Sequence, residues 1–212
     1  MPEPIPAPRT VGAILAGGLG TRMGGRDKVL MRLGGETLLR HIVRRLEPQC
    51  DGLILNANGD PSRFTGISLP VIPDILPGHA GPLAGMLSAL DWALAHRPEA
   101  EWVVTVAGDT PFLPEDLVMR LHAARQDAGL PLACAESGDR LHPAVGLWSV
   151  ALRDDLHHAL TEENVRSVRG WAERHGYARA VWPATPTDPF FNINTPEDLA
   201  AAEALLLEPT HD

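Results

Sequence analysis

An apolar run that breaks directly into a loop rich in glycine and cations restricts the folds open to this chain more than any other feature. Val11–Leu15 has the length of a buried strand; Gly17, Gly18, Gly20, Gly24 and Gly25 follow, interleaved with Arg22, Arg26 and Lys28, and Thr37 then opens an amphipathic helix reaching about Leu46. Strand, loop and helix in that order make half of a βαβ crossover, and the pattern recurs. Gly52–Asn56 and Leu69–Ile72 read as strands, and Pro82–His96 as a helix with apolar residues at Leu83, Met86, Leu87, Leu90 and Leu94. A strand over Trp102–Val106 stops at Ala107-Gly108-Asp109-Thr110-Pro111, after which Pro114 and Glu115 carry the proline-first, acid-early composition of a helix start.

Such alternation predicts an α/β fold: a Rossmann-like, open, mostly parallel sheet with helices on both faces, joined by right-handed crossovers. Ligands of these sheets collect beyond the carboxyl ends of the strands, and the loops 17–28 and 108–111 both leave strands at that edge. Past Leu130 the pattern predicts strands over Leu132–Ala135 and Ala144–Trp148, helices over Ala151–Leu160 and Val165–His175, and a closing helix over Pro196–Leu206. For 212 residues the expected layout is one domain over 11–207, between a flexible segment 1–10 and a tail 208–212.

What the loop can hold follows from its charge. The chain carries a formal net charge of −9, which opposes broad attraction to nucleic acid or to a membrane surface, so a polyanionic ligand requires local positive charge. A dinucleotide fingerprint begun at Gly18 and Gly20 requires glycine at position 23, where Met23 stands, and the Gly-Lys-Ser or Gly-Lys-Thr of a Walker A loop does not occur. A phosphate-wrapping loop fits instead: glycines admit backbone N–H groups close to phosphate oxygens, while Arg22, Arg26 and Lys28 supply charge. Asp109, closing a strand opposite that loop, is suited to carry Mg²⁺, which takes few protein ligands and completes its shell with phosphate oxygens. Read as a turn residue, the same aspartate caps the helix that follows. No stretch has the apolar length to cross a bilayer, the first ten residues lack the apolar core of a secretory signal, and Cys50 and Cys134 form no CxxC pair; a cytoplasmic protein with two inert thiols is expected.

Leu15-Ala16-Gly17-Gly18, followed by Arg22-Met23-Gly24-Gly25-Arg26-Asp27-Lys28, resembles the signature of the molybdenum cofactor guanylyltransferases, within the larger nucleotide-diphospho-sugar transferase-like group. Pro48-Gln49, Asn56-Ala57-Asn58, Gly81 to Met86, Asp109-Thr110-Pro111, His142-Pro143 and Asn192-Ile193-Asn194-Thr195-Pro196-Glu197-Asp198-Leu199 resemble further motifs of that family, in its order, across about Val11 to Leu206. One departure is Gly108, where the family often has cysteine.

The resemblance implies a magnesium-dependent transfer of GMP from GTP to the terminal phosphate of molybdenum-molybdopterin. It implies that Lys28 and Arg22 lie near the triphosphate, that Asp109 holds the metal, and that the backbone of Leu15, Ala16, Gly17 and Gly18, with Asn56 and Asp74, contacts the nucleotide. On the pterin side the candidates are Asn192, Asn194, His142 and Arg166, with Arg169 nearby; Asn192 and Asn194 also read as the scaffold of the last helix, and His142 as structural or substrate-positioning. A phosphate monoester, with a second pKa of about 6, attacks without a general base. The family further implies molybdenum-insertion proteins and molybdoenzyme chaperones as partners, and a monomer is expected. A CTP-dependent pterin enzyme and a sugar-1-phosphate nucleotidyltransferase share the chemistry, while a nucleotide-binding regulatory or carrier protein would keep the cationic loop without turnover.

Overall fold

The computed structural model describes residues 8–17, 27–76, 78 and 81–207. In chain order its elements begin with β1 (Thr10–Leu15), a small hairpin of β2 (Arg32–Leu33) and β3 (Glu36–Thr37), and α1 (Leu38–Leu46). β4 (Gly52–Asn56), β5 (Val71–Ile72), α2 (Pro82–His96), β6 (Trp102–Ala107) and α3 (Leu117–Ala128) follow. The second half adds β7 (Leu132–Ser137), β8 (Arg140–Ser149), α4 (Arg153–Thr161), α5 (Val168–His175), β9 (Ala178–Trp182) and α6 (Pro196–Leu207). Seven strands form one sheet in the order β5-β4-β1-β6-β8-β7-β9. Every neighbouring pair is parallel except those of β8, which runs antiparallel to both β6 and β7. The reversal is local in origin. Only Gly138 and Asp139 separate β7 from β8, Gly138 has φ +55°, and so short a turn can join only antiparallel strands.

The sheet is buried on both faces because alternate residues of its central strands serve different helices. Ile14, Leu55, Val104 and Val106 pack with Leu39, Ile42 and Leu46 of α1 and with Leu117 and Leu121 of α3. Ala13, Ile54 and Val103 pack with Leu83, Met86, Leu87 and Leu90 of α2, with Leu156 and Leu160 of α4 and with Trp171 of α5. Each fully buried Leu or Ile among these contributes roughly 1.5–3 kcal/mol. A third, smaller cluster of Leu33, Leu38, Ile193 and Ala202 seats α6 against the β2–β3 hairpin.

Where the expected and observed elements differ, the cause is local. Leu94 leaves the buried stripe of α2 and is 48% exposed, while its neighbour Ala93 fills the last core position of the helix. The third strand shrinks from Leu69–Ile72 to Val71–Ile72, since Pro70 has no N–H for a ladder. α3 starts at Leu117 rather than Pro114, with Pro114–Asp116 as a lead-in whose Pro114 carbonyl accepts from Leu117 N–H at 3.3 Å. α5 waits for Ser167, whose hydroxyl caps Gly170 N–H at 3.2 Å, so Val165 and Arg166 remain outside it.

Candidate functional site

Parallel β4, β1 and β6 end side by side at Asn56, Leu15 and Ala107, and their exits open a cleft of about 250 Å³. β1 leaves through Ala16 and Gly17, both on the cleft wall. Ala16 N–H donates to Asn56 O at 2.8 Å and Gly108 N–H donates to Leu15 O at 3.0 Å, so the strand pairing extends past the formal ends. The Ala16 amide, expected among the donors to phosphate, is thus engaged with its neighbouring strand. Gly108 is a packing requirement: a Cβ there would stand 2.4 Å from Val29 Cγ1 and 3.1 Å from Leu15 O.

On one side of the cleft, Thr110 Oγ1 donates to Ala107 O at 2.7 Å and closes the turn that carries Asp109. Ile193 N–H donates to the Asp109 carbonyl at 2.9 Å, which docks the segment before α6 onto this turn. Lys28, anchored by the buried Val29 beside it, brings its amine to 2.6 Å from Asn194 Oδ1 and 3.5 Å from Asp109 Oδ2. Asp109 Oδ1 is buried and has no hydrogen-bond partner among the described residues. Burial pushes the Asp109 carboxyl above its ordinary range, against the lowering pull of Lys28. Asn194 is itself held by a reciprocal cap: Asn194 N–H and Thr195 N–H donate to Asp198 Oδ2 at 2.8 and 2.9 Å, and Asp198 N–H returns to Thr195 Oγ1 at 3.1 Å. The Asn194 amide, first among these, holds the Asp198 carboxyl below its usual range.

The opposite wall is amide-rich and carries one carboxylate, Asp74. Asn56, buried at the end of β4, donates from Nδ2 to Ile72 O at 3.3 Å and to Asp74 Oδ1 at 3.0 Å. Asn58 grips Asp74 at two points, donating from Nδ2 to Asp74 Oδ2 at 2.7 Å and accepting Asp74 N–H on Oδ1 at 2.8 Å. Gly17 faces this cluster: a Cβ on it would come within 3.7–3.8 Å of Asn56 Oδ1, Asn58 Nδ2 and Asp74 Oδ2. Gly85 of α2 makes room for it, since a Cβ there would sit 2.3 Å from Asn56 Oδ1.

Of the residues expected from the sequence, Leu15, Ala16, Gly17, Lys28, Asn56, Asp74 and Asp109 meet at this cleft, and Asn194 joins them through Lys28. Gly18, Arg22 and Arg26 lie outside the described residues. His142 is buried, pairs through Nε2 with Ser137 Oγ at 2.7 Å and packs its ring 4.9 Å from that of Phe190 at a tilt of 44°; burial lowers its imidazole pKa. It thereby props the stretch leading to Asn192 and Asn194. Asn192 is half-buried, Arg166 is exposed before α5, Arg169 pairs with Glu173 at 2.8 Å, and none of the three is in the cleft lining. Asn58 and Gly85 emerge only from the structure as site residues. Their signal was present in a polar Asn-Ala-Asn exit from a strand and in a glycine within an otherwise apolar helix. Burial pushes both thiols, Cys50 and Cys134, up to about 12, which removes them as nucleophiles at neutral pH.

Magnesium takes one or two carboxylates and fills its shell with water and phosphate oxygens. The buried, unpartnered Oδ1 of Asp109 suits that role, although no group of three or more His, Cys, Asp or Glu is gathered for a metal among the described residues.

Residues 12–178 match the MobA-like NTP transferase domain. A molybdenum cofactor guanylyltransferase of Nitrobacter hamburgensis is 52% identical over 95% of this chain and 96% of its own length. One from Bradyrhizobium sp. is 55% identical over 92% of each. Among solved structures, molybdopterin-guanine dinucleotide biosynthesis protein A from Archaeoglobus fulgidus superposes with a TM-score of 0.71 at 24% identity, over 92% of this chain and 98% of that one, a likeness of fold.

Proposed function

The chain belongs to the MobA-like NTP transferase family, with the molybdenum cofactor guanylyltransferases as half-identical relatives over nearly its whole length, and we propose that it transfers GMP from GTP to the terminal phosphate of molybdenum-molybdopterin, releasing pyrophosphate. One observation carries the residue-level reading: an amine, Lys28 Nζ, is held 3.5 Å from a carboxylate whose other oxygen is buried without a partner among the described residues. That pairing suits a ligand that is both polyanionic and metal-bound. Two anions must meet in this reaction, and the chain's contribution is to neutralise and align them. Lys28 binds the triphosphate, Asn194 orients the Lys28 amine, and Asn56 with Asp74 forms the wall against which the nucleoside packs. Asp109 would hold a divalent cation, Mg²⁺ in this assignment, which supplies charge neutralisation at the phosphates when bound. The attacking phosphate is ionised at neutral pH, so no side chain is assigned as a general base.

Among the described residues no helix is long and apolar enough to cross a membrane, and a cytoplasmic monomer of one domain over 11–207 is the form in which we expect it to act. The decisive experiment follows pyrophosphate release with GTP, CTP, ATP and UTP in the presence of molybdenum-bearing pterin. Release with GTP that stops on chelation and returns with Mg²⁺ is the expected result. Preference for CTP would move the chain to cytidylyl transfer, and nucleotide binding without any release would make it a carrier.

A further inference from the structure

Arg63 lies outside every motif that marks the cleft, on the short turn Pro61–Phe64, yet its guanidinium joins two stretches that approach the cleft from different sides. Nη1 donates to Asp60 O at 2.7 Å and Nη2 donates to Asn58 O, while Nε stands 2.5 Å from Asp27 Oδ2 in an ion pair without the alignment of a hydrogen bond. The pair is largely enclosed, with the Arg63 and Asp27 side chains 26% and 30% exposed. The guanidinium lies 4.4 Å over the ring of Phe64, which is buried in the core, so its plane is held from below. Gly59, at φ +86°, lets the loop curl tightly enough that a Cβ there would stand 3.0 Å from Arg63 Nη1.

What the guanidinium joins gives it a role. Asn58 is the residue that grips Asp74 at two points, and Asp27 directly precedes Lys28, whose amine reaches Asn194 and Asp109. We propose that Arg63 is a positioning residue for nucleotide binding: it ties the Asn58–Asp74 wall to the root of Lys28 and sets the separation at which a nucleoside triphosphate meets both. The inference rests on the reading of the cleft as a nucleotide site. Arginine suits the position because its separate Nη atoms reach two carbonyls while its charge stays beside Asp27; lysine offers its three donors from a single nitrogen.

The test is calorimetric titration of GTP with Mg²⁺ into the wild type, Arg63→Met, Arg63→Lys, Asp27→Asn and the Arg63→Met/Asp27→Asn double variant, with a thermal melt and steady-state pyrophosphate release for each. Arg63→Met keeps an apolar stem over Phe64 and is expected to weaken GTP binding about tenfold, the scale of one charge-assisted hydrogen bond. KM is expected to rise with it while the melting temperature stays close to wild type. Arg63→Lys should fall between the two, and the double variant should bind no more weakly than Arg63→Met, because both changes break one connection. A folded Arg63→Met with wild-type affinity and KM overturns the proposal, as do additive losses in the double variant. Should Arg63→Met fail to fold, wild-type binding by Asp27→Asn overturns it equally. A wild type that binds no nucleotide overturns the assignment of the cleft itself, and this inference with it.

Discussion

At position 28 a single amine is shared between an amide oxygen at 2.6 Å and a carboxylate at 3.5 Å, and Val29 beside it is anchored in the core. A side chain so fixed has given up its rotamer freedom before any ligand arrives, which is the condition for electrostatic stabilisation without reorganisation. Lys28→Met is therefore expected to cut turnover by at least about a hundredfold while the melting curve barely moves. Turnover near wild type would remove the amine from the reaction. Gly85 makes the converse point. Alanine is a better helix former by about 1 kcal/mol, yet here its Cβ would meet Asn56 Oδ1 at 2.3 Å and break the bond to Asp74. Gly85→Ala should lower stability by about 1–3 kcal/mol through overpacking and weaken nucleotide binding, read by melting and calorimetry together. A stabilised, fully binding variant would show that Asn56 is free to move.

Among the elements, α6 does more than close the fold. Its first turn carries Asp198, whose carboxylate takes the Asn194 and Thr195 amides, and so the helix cap also orients the amide that steers Lys28. Asp198→Ala should cost about 1 kcal/mol in stability, the usual worth of a cap, and also lower kcat. Loss of stability with unchanged kcat would confine Asp198 to capping. These boundaries were legible in the sequence, because Thr195-Pro196-Glu197-Asp198 is local chemistry. β9 was not. Ala178, Ala180 and Trp182 alternate with exposed Arg179 and Val181, but its five residues form an edge strand that acquires meaning only beside β7. Likewise β8 offered apolar residues at Ala144–Trp148, while its direction depended on the two-residue turn after Ser137. Asp109 could be picked out because it follows directly on a strand, and Lys28 because it closes the cationic glycine-rich segment, whereas Asn56 was marked only through the family resemblance. That Asn194 serves Lys28 could not, since the bond spans 166 positions.

For the whole molecule, the histidine whose pKa burial depresses furthest sits at the opposite end of the sheet from the cleft. His122 packs against Thr10 at the start of β1, its Nε2 2.8 Å from Thr10 Oγ1, while the cleft lies where β1 ends. Burial first, and Arg125 second, push the His122 imidazole down to about 4, well below its ordinary value of 6.5. The unfolded chain therefore takes up a proton that the folded chain refuses. The stability this neutral histidine contributes is complete above about pH 6.5 and is lost as the pH falls toward about 4. Melting temperatures of wild type and His122→Asn at pH 7.5, 6 and 5 check this as order-of-magnitude steps across that window. The wild type should lose more on acidification than the variant, and parallel curves would exclude His122 as the source.

The bond between Lys28 and Asn194 also bears on the order in which the site comes together. In chain order the glycine-rich segment, Asp109 and all seven strands of the main sheet precede Asn194 and its cap. Until that segment docks on the Asp109 turn, the amine keeps only the Asp109 carboxylate at 3.5 Å, so the bond that fixes its direction is made after the carboxylate pair is already in place.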